Sequence, residues 1–258
     1  MKKWLLIGSA VVIILIILLF IAVANLGPMI KKAVNTYGPK ITKTEVSLGG
    51  VGVSIFSGEA KIKDFFLGNP KGFKTPGAMS VGSVLVALDK ASLTKNPIII
   101  NKIEVLRPEV TYEKMKGTDN FKAILNNVNS VLGASESPKK EEPAAKEGGG
   151  KKILIRDFIV SDGKVNLAVS MLGASKSVSV PLPDIHLTNI GGENQGASPA
   201  QVFKEVVAAL YEKITSPAVT DALNQEIKAL GKDIGAGTES TKKELGDVTE
   251  KTKRLFGN

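Results

Sequence analysis

The sequence predicts an α+β protein with an N-terminal transmembrane helix, a mainly antiparallel β-sheet of about eight or nine strands, and C-terminal amphipathic helices. Three observations support this prediction. Residues 4–24 form an uncharged apolar run, residues 41–112 and 153–187 alternate apolar with polar side chains, and apolar residues recur at helical spacing beyond residue 198. A period of two is typical of strands and a period near 3.6 of amphipathic helices.

The apolar run from Trp4 to Ala24 contains 21 residues and no charge. At about 1.5 Å per residue, a helix of this length crosses the roughly 30 Å hydrocarbon core of a bilayer. Residues 1–26 are therefore predicted to be a membrane anchor. A cleaved secretory signal is the alternative, because Ala22-Val23-Ala24 has the small-x-small form of a cleavage site. Signals of that kind usually have a shorter apolar region of about 7–15 residues, which favours the anchor.

The lysines around the run bear on its orientation. Lys2 and Lys3 precede it, and four lysines follow within residues 31–43. A count of flanking charges therefore favours an N-terminus outside the cytoplasm, whereas the short basic start favours an N-terminus inside it. We take the basic start as decisive. The prediction is a single-pass protein of the inner (cytoplasmic) membrane with its bulk in the periplasm.

The remaining chain divides into four predicted regions. Residues 27–133 form a block of strands that ends in a short amphipathic helix, within which Phe121, Ile124 and Val128 have helical spacing. Residues 134–150 lack apolar bulk and are predicted to be a disordered linker. Residues 151–192 form a second strand block of the same sheet, with Asp162-Gly163 as a hairpin signal.

Residues 193–258 are predicted to be helical. Ser198-Pro199 and Ser216-Pro217 each place a capping hydroxyl before a proline suited to the first turn of a helix. The second of these helices is predicted to stop at Gly231. A third, from Thr238 to about Phe256, is mostly charged and is predicted to be a solvated or fraying tail. The alternative is a helix that binds a partner, but its sparse apolar residues would bury little area.

Composition excludes several functional classes. The chain has no cysteine, so disulfides cannot stabilise it, and its net charge is +9. Residues 1–40 hold five lysines and no acid, which places much of the excess beside the anchor, where it suits anionic lipid headgroups. The chain has three arginines, Arg107, Arg156 and Arg254, and no basic stripe with interleaved aromatic residues. Nucleic acid is therefore not a predicted partner.

No constellation of catalytic residues is evident. His186 is the single histidine and lies in an alternating strand segment, and the glycines of residues 49–58 lack the helix and Lys-Ser/Thr of a phosphate loop. Asp64, Glu104 and Asp157 are predicted to be solvated strand residues, with Asp64 marking a bulge or a sheet edge. We predict that the protein is not an enzyme and has no metal site, catalytic residue or cofactor.

An internal repeat relates two parts of the strand region. Residues 98–110 align without a gap on residues 153–165 at a constant offset of 55, and both read apolar-x-Ile-x-x-apolar-x-Val-x-x-turn-x-Val. Similarity at a fixed offset is typical of stacked architectures. The alternative is that any two amphipathic strand pairs look alike, since alternation is a common pattern.

These features resemble the AsmA-like family, which includes TamB-type periplasmic proteins of Gram-negative bacteria. The resemblance rests on the N-terminal anchor, on residues 57–73 (SGEAKIKDFFLGNPKGF), on the strand from Val81 to Leu88 with Ala91-Ser92-Leu93, and on the strand pair from Ile98 to Tyr112 followed by Asn120-Phe121. It implies an inner-membrane protein whose strands form a curved sheet with an apolar concave face. It further implies a role in outer-membrane biogenesis and in phospholipid movement between membranes. Eight or nine strands at about 4.8 Å spacing give a sheet only about 40 Å wide, too small to span a periplasm alone.

The predicted function therefore depends on an extended apolar surface. Eight residues are the candidates for a lipid-binding groove: Val53, Ile55, Ile62, Phe66, Val84, Val86, Ile103 and Val105. The alternative is that the C-terminal helices cover these residues as an ordinary core. Two functions follow, an envelope-biogenesis protein that offers this surface to phospholipid or a partner, or an anchored module that binds envelope proteins or itself without a lipid role.

Overall fold

The computed structural model describes residues 25–115, 117–136, 151–168 and 178–234. Within these ranges the chain is α+β, with four helices and a mixed β-sheet that is curved but not closed. The helices are α1 (25–42), α2 (Asn120–Glu136), α3 (Pro199–Ile214) and α4 (Pro217–Ile234). The strands are β1 (Val46–Ser47), β2 (Gly50–Ser54), β3 (Glu59–Gly68), β4 (Gly77–Leu88), β5 (Ile98–Leu106), β6 (Glu109–Met115), β7 (Thr118–Asp119), β8 (Ile153–Ser161), β9 (Gly163–Ala168), β10 (Val178–Leu182) and β11 (Ile185–Ile190).

Several predicted segments lie outside the described residues. They are the apolar run at 4–24, the linker residues 137–150 and the charged tail from Thr238. None of the helices in the described part of the chain is long and apolar enough to cross a membrane.

The sheet consists of six long bent strands rather than many short ones. Strands β1 and β2 both pair with β3 in a single register, and β5 and β6 both pair with β4 in a single register. Likewise, β10 pairs with β9 and β11 pairs with β8 in one register. Each of these pairs of short strands is therefore one ribbon interrupted by a corner. Eleven strands are seen among the described residues where eight or nine were predicted, because a bend splits most ribbons into two. Two of the pairings, β5–β8 and β6–β9, are parallel.

The corners lie opposite one another across the whole sheet. When the strand registers are continued into the bend, six residues lie opposite one another, one from each ribbon. We call them the corner line: Gly49, Asp64, Gly82, Arg107, Asp162 and Pro183. Three of these, Asp64, Arg107 and Asp162, have positive φ angles of 51°, 52° and 56°. A left-handed residue bends a strand sharply, and because every ribbon bends at the same level the pairing continues through the bend without a shift.

Side-chain alternation changes phase at the corner line. Along β4, the buried residues Val84 and Val86 are two positions apart, as strand alternation requires, but the preceding buried valine, Val81, is three positions before Val84. Leu182 and Ile185 show the same spacing in the last ribbon. One additional residue per ribbon is thus absorbed at the corner, as in a β-bulge, and each ribbon continues to present apolar side chains to one face.

The two copies of the internal repeat are neighbours in the sheet. Every parallel pairing joins residues 55 positions apart, from Ile98 with Ile153 to Glu113 with Ala168. Arg107 and Asp162, the corners of the two copies, are related by the same offset. The predicted hairpin at Asp162-Gly163 is wrong, since β8 and β9 do not pair with each other. Asp162 adopts the left-handed conformation typical of hairpin turns but here bends a single ribbon.

Asp64 is neither at a sheet edge nor at a shift of register. Strands β2 and β4 flank it on both sides, and the shift between β3 and β4 occurs later, at Leu67/Gly68. Alternation predicts an apolar residue at position 64, but the corner requires a positive φ there, and aspartate tolerates positive φ better than most residues.

Helix α1 was not predicted, and it borders the edge ribbon β1–β2. A side chain on Gly38 would come within 2.7 Å of Val46, and one on Gly27 would collide with the Val51 carbonyl, so both glycines allow close approach. The Asn35 carboxamide accepts a hydrogen bond from the Leu48 amide at 2.9 Å. Helix α1 therefore covers an edge that would otherwise be open to another strand.

The other helices pack on the apolar face of the sheet. Phe121, Ile124 and Val128 of α2, Val207, Leu210 and Ile214 of α3, and Val219, Leu223 and Ile227 of α4 form one core with the buried strand residues. The predicted cap of α3 is confirmed, since Ser198 and Gln201 form a reciprocal capping box. The predicted cap of α4 is wrong, because the Ser216 hydroxyl donates to the Lys213 carbonyl. Helix α4 also continues through Gly231 to Ile234 instead of stopping there.

Candidate functional site

The apolar face of the sheet, here called the inner face, carries most of the predicted site residues. Register places Val53 beside Ala60, Ile62 beside Val84, and Val84 beside Val105. Val86 and Ile103 pair in the same way, so six of the eight candidates share one face on the β2 side of the corner line. The structure therefore brings Val53, Ile62, Val84, Val86, Ile103 and Val105 together.

Phe66 lies on the opposite, outer face. It pairs with Ser80 and Ser47, whereas its neighbours Phe65 and Leu67 face the core. Simple alternation from Ile62 predicts the inner face for Phe66, but the extra residue at the Asp64 corner reverses the phase. Ile55 follows the end of β2 and is half-buried in the turn before β3.

Three of the six inner-face candidates are buried from solvent. Val84, Val86 and Val105 are each 8% exposed and belong to the core beneath the helices. Val53, Ile62 and Ile103 are half-buried. Part of the face that the sequence suggests as a groove is therefore closed core, and the three valines are packing residues.

An apolar groove remains where α1 approaches α2 and α3. Its volume is about 810 Å³, within the range of about 300–1,000 Å³ typical of small-molecule sites. Its apolar lining comes from Val34, Tyr37 and Ile41 of α1, Leu132 of α2, Phe203 of α3, and Val46, Phe65 and Ile153 of the sheet. None of the eight predicted residues lines it.

The groove has no charged lining residue among those described. Its polar groups are Thr42, Ser198, Gln201 and the Tyr37 hydroxyl. The Ser198 hydroxyl accepts the Gln201 amide, and the Thr42 hydroxyl donates to the Gly38 carbonyl at 3.0 Å, so both groups serve the helix ends. Such a surface favours an apolar ligand, because a charged ligand group placed inside it would lose its hydration without gaining a partner.

The sequence signal that could have located this groove is the helical spacing of Ile30, Val34 and Ile41. That spacing indicates an amphipathic helix after the predicted anchor. Tyr37 on the same helix is 60% exposed and Met29 is 65% exposed, so α1 presents apolar side chains to solvent near the groove.

A buried polar cluster at the far end of the sheet was also not predicted. Glu113 is 1% exposed, and its carboxylate accepts the Lys74 and Thr75 amides at 2.7 and 2.8 Å. Asn120, fully buried, donates to the Asn69 side chain and to the Thr111 carbonyl. These bonds fasten the loop between β3 and β4 to β6 and α2.

Asp119 extends this cluster to α3. One carboxylate oxygen caps α2 by accepting the Lys122 amide, and the other accepts the Tyr211 hydroxyl at 2.9 Å. Burial, the hydrogen bond to Asp119 and the charge of Asp119 raise the pKa of Tyr211 to about 12. Burial and the same charge also raise the pKa of Tyr112. The hydrogen-bond partners of Glu113, Asn120 and Asp119 are groups that hold the fold together, so we interpret the cluster as structural.

The remaining polar candidates lie on the outer face. His186 is exposed and contacts Asp157 at 2.8 Å across neighbouring strands, and Glu104 pairs with Lys102. The described residues contain no group of three or more potential metal ligands. An exposed histidine–carboxylate pair of this kind contributes little to stability.

Comparisons with protein-family models, with curated proteins and with solved structures find no match for this chain.

Proposed function

We propose that the chain is a membrane-anchored periplasmic protein of the AsmA-like type that acts in cell-envelope biogenesis by holding a phospholipid acyl chain. The observation that supports this proposal is the uncharged groove of about 810 Å³ between α1, α2, α3 and the sheet. Burial of each methylene contributes about 0.8 kcal/mol, so a groove of this size gives an acyl chain a substantial driving force.

The sequence adds the second support. Residues 4–24 are uncharged and long enough to cross a bilayer, and the chain is helical at residues 25–42, directly after them in sequence. A ligand groove formed partly by α1 is then joined directly to the proposed anchor. The resemblance to the AsmA-like family suggests the lipid class.

The test combines lipid analysis with a groove-filling substitution. Ala200 of α3 lines the groove, and Ala208 lies on the same helix in an exposed position. In detergent-extracted full-length protein, we expect phospholipid to copurify with the natural sequence and with Ala208→Trp but to fall strongly with Ala200→Trp. Mass spectrometry of the extracted lipids provides the measurement. Equal lipid content in both variants, or none above an unrelated membrane protein, would contradict lipid binding.

A protein ligand is the second candidate, favoured by the exposed Tyr37 at the groove. A photo-crosslinking amino acid at position 37 distinguishes the two occupants in membranes. Adducts of lipid mass support the proposal, whereas adducts with a single protein favour the anchored interaction module.

A further inference from the structure

One end of the sheet, here called the loop end, is a continuous surface built from four segments. They are the turn at 55–58, residues 89–97, residues 151–152 and the loop at 191–197. The Leu88 amide donates to the Gly58 carbonyl at 2.7 Å, and the Ile98 amide donates to the Lys152 carbonyl at 2.9 Å. Ala197 forms an isolated antiparallel β-bridge with Ile153. These bonds hold the segments side by side.

An exposed aromatic residue projects from this end. Phe56 is 83% exposed, the most exposed of the large hydrophobic residues described. Its carbonyl accepts a hydrogen bond from the Lys90 ammonium group at 3.0 Å, which ties the turn to the segment after β4. An exposed phenylalanine beside basic residues suits insertion among lipid headgroups, as on interfacial membrane-binding segments.

Exposed lysines lie along the loop end, and one of them, Lys90, contacts the Phe56 turn. Lys90, Lys95, Lys151 and Lys152 are exposed at the loop end, and the Lys151 ammonium group donates to the Lys95 carbonyl at 2.7 Å. The exposed acids there are Glu59, Glu193 and Glu205, and the Glu205 carboxylate accepts the Gly191 amide. The half-buried Asp89 caps the short helix at Lys90–Ser92 through the Ala91 amide. Lysines close to an anionic bilayer are attracted to its negatively charged surface.

The direction of α1 selects this end over the other. Gly38 lies against Val46, and Gly27 lies against Val51, so the start of α1 is the part nearest the end of β2 and the Phe56 turn. The apolar run at 4–24 joins α1 on that side. Among the described residues, the opposite end has exposed lysines, Lys71 and Lys74, and one exposed large hydrophobic residue, Met115 at 39%, against 83% for Phe56. The apolar run does not join α1 at that end.

We infer that the loop end docks on the surface of an anionic phospholipid bilayer, with Phe56 inserted among the headgroups and Lys90, Lys95, Lys151 and Lys152 contacting lipid phosphates. This inference rests on the proposed membrane anchor. Docking at this end orients the body of the protein with its corner line above the bilayer and its 69–76 loop farthest from it.

The test uses the absence of natural cysteine in the chain. Full-length protein carrying Ser57→Cys or Lys71→Cys, labelled with an environment-sensitive fluorophore, is reconstituted in nanodiscs of phosphatidylcholine with or without phosphatidylglycerol. Brominated lipids should quench the label at position 57 and leave the label at position 71 unchanged. Phosphatidylglycerol should increase the quenching, and high salt should reduce that increase.

Matched variants identify the groups responsible. Phe56→Ser should reduce quenching at position 57, whereas Met115→Ser, at the opposite end, should not. Lys95→Gln with Lys152→Gln should remove the dependence on phosphatidylglycerol, and Lys71→Gln with Lys74→Gln should leave it intact. All of these side chains are exposed or nearly so, and a thermal melt followed by circular dichroism verifies folding.

The outcomes separate the two proposals. Protein that floats with the discs but shows equal quenching at positions 57 and 71, or none at 57, overturns the docking inference and leaves the anchor standing. Protein that fails to remain with the discs in alkaline carbonate contradicts the anchor and the docking inference together.

Discussion

Glu113 is the residue on which the far end of the sheet most depends. Its buried carboxylate accepts two backbone amides and the Thr75 hydroxyl from a loop almost forty positions away in sequence. Charge-assisted bonds of this type are stronger than neutral ones, and unpaired buried donors are costly. One buried carboxylate thus determines the path of the 69–76 loop.

Replacing Glu113 by alanine should lower the free energy of unfolding by about 2 kcal/mol, because it leaves two loop amides without their partners. Glu109, exposed on the same strand, provides the matched control, and Glu109→Ala should change stability by less than about 0.5 kcal/mol. Urea denaturation of both variants measures the difference. Equal values for the two would show that solvent replaces the carboxylate.

The tyrosines predict a loss of stability at high pH. The pKa of Tyr211 is raised to about 12 from an ordinary value of about 10, so the folded state favours the neutral phenol. The resulting stabilisation is complete below pH 10 and is lost as the pH rises from 10 towards 12. Tyr211→Phe should flatten this decline, whereas Tyr37→Phe, at an exposed position, should not. Unfolding free energies measured from pH 8 to pH 12 decide between these outcomes.

At the scale of elements, the corner line explains both the shape of the sheet and the errors of prediction. Alternation identified most ribbons, because each half-ribbon has a regular period of two. It misplaced Phe66, since one residue at the Asp64 corner reverses the phase, and it produced a hairpin at Asp162-Gly163, since a left-handed aspartate before glycine also suits a turn. Single-strand patterns do not contain the information that neighbouring ribbons bend at the same level.

Helix ends were predicted with unequal success for a similar reason. Ser198 caps α3 as its sequence indicates, because Gln201 is available three residues later. Ser216 instead donates to the last turn of α3, and Gly231 remains helical. The groove was missed because its lining combines α1, α2, α3 and three separate strands, and the predicted site residues came from the sheet alone.

Glycine at the corner should stabilise the protein. Asp162 has a φ of 56°, a conformation that costs L-residues about 1–2 kcal/mol relative to glycine, and aspartate less than most of them. Asp162→Gly should therefore raise the free energy of unfolding, whereas Lys164→Gly, two positions along in β9, should lower it by about 0.5–1 kcal/mol. Chemical denaturation of both variants gives the signs. A loss of stability in Asp162→Gly would mean that its side chain contributes more than the backbone strain costs.

For the molecule as a whole, the two strand blocks are joined between the fourth and fifth of the six ribbons of one sheet. The parallel pairings β5–β8 and β6–β9 connect residues 98–113 to residues 153–168, so the first and second blocks form one core. The constant offset of 55 in the sequence predicted stacking, and the structure has the same offset as its register. The order of the ribbons was not predictable, since parallel pairing across residues 137–150 has no local turn to mark it.

This arrangement predicts that the protein tolerates a break between the blocks. A protease site inserted in residues 137–150, predicted from sequence to be a linker, should yield two fragments that coelute from size exclusion, because the shared sheet holds them together. Addition of 6 M urea after cleavage should separate them. Coelution that is lost without denaturant would show that the covalent connection is required to keep the blocks paired.

The shared bend has a consequence for how such a molecule can grow. Since each ribbon carries its own corner and adjacent ribbons match at one level, another corner-bearing ribbon added at the β10–β11 side would lengthen the trough by about 4.8 Å while leaving its cross-section unchanged. Length and curvature are thus independent properties of this architecture. A longer curved sheet with the same cross-section needs only further copies of one bent ribbon.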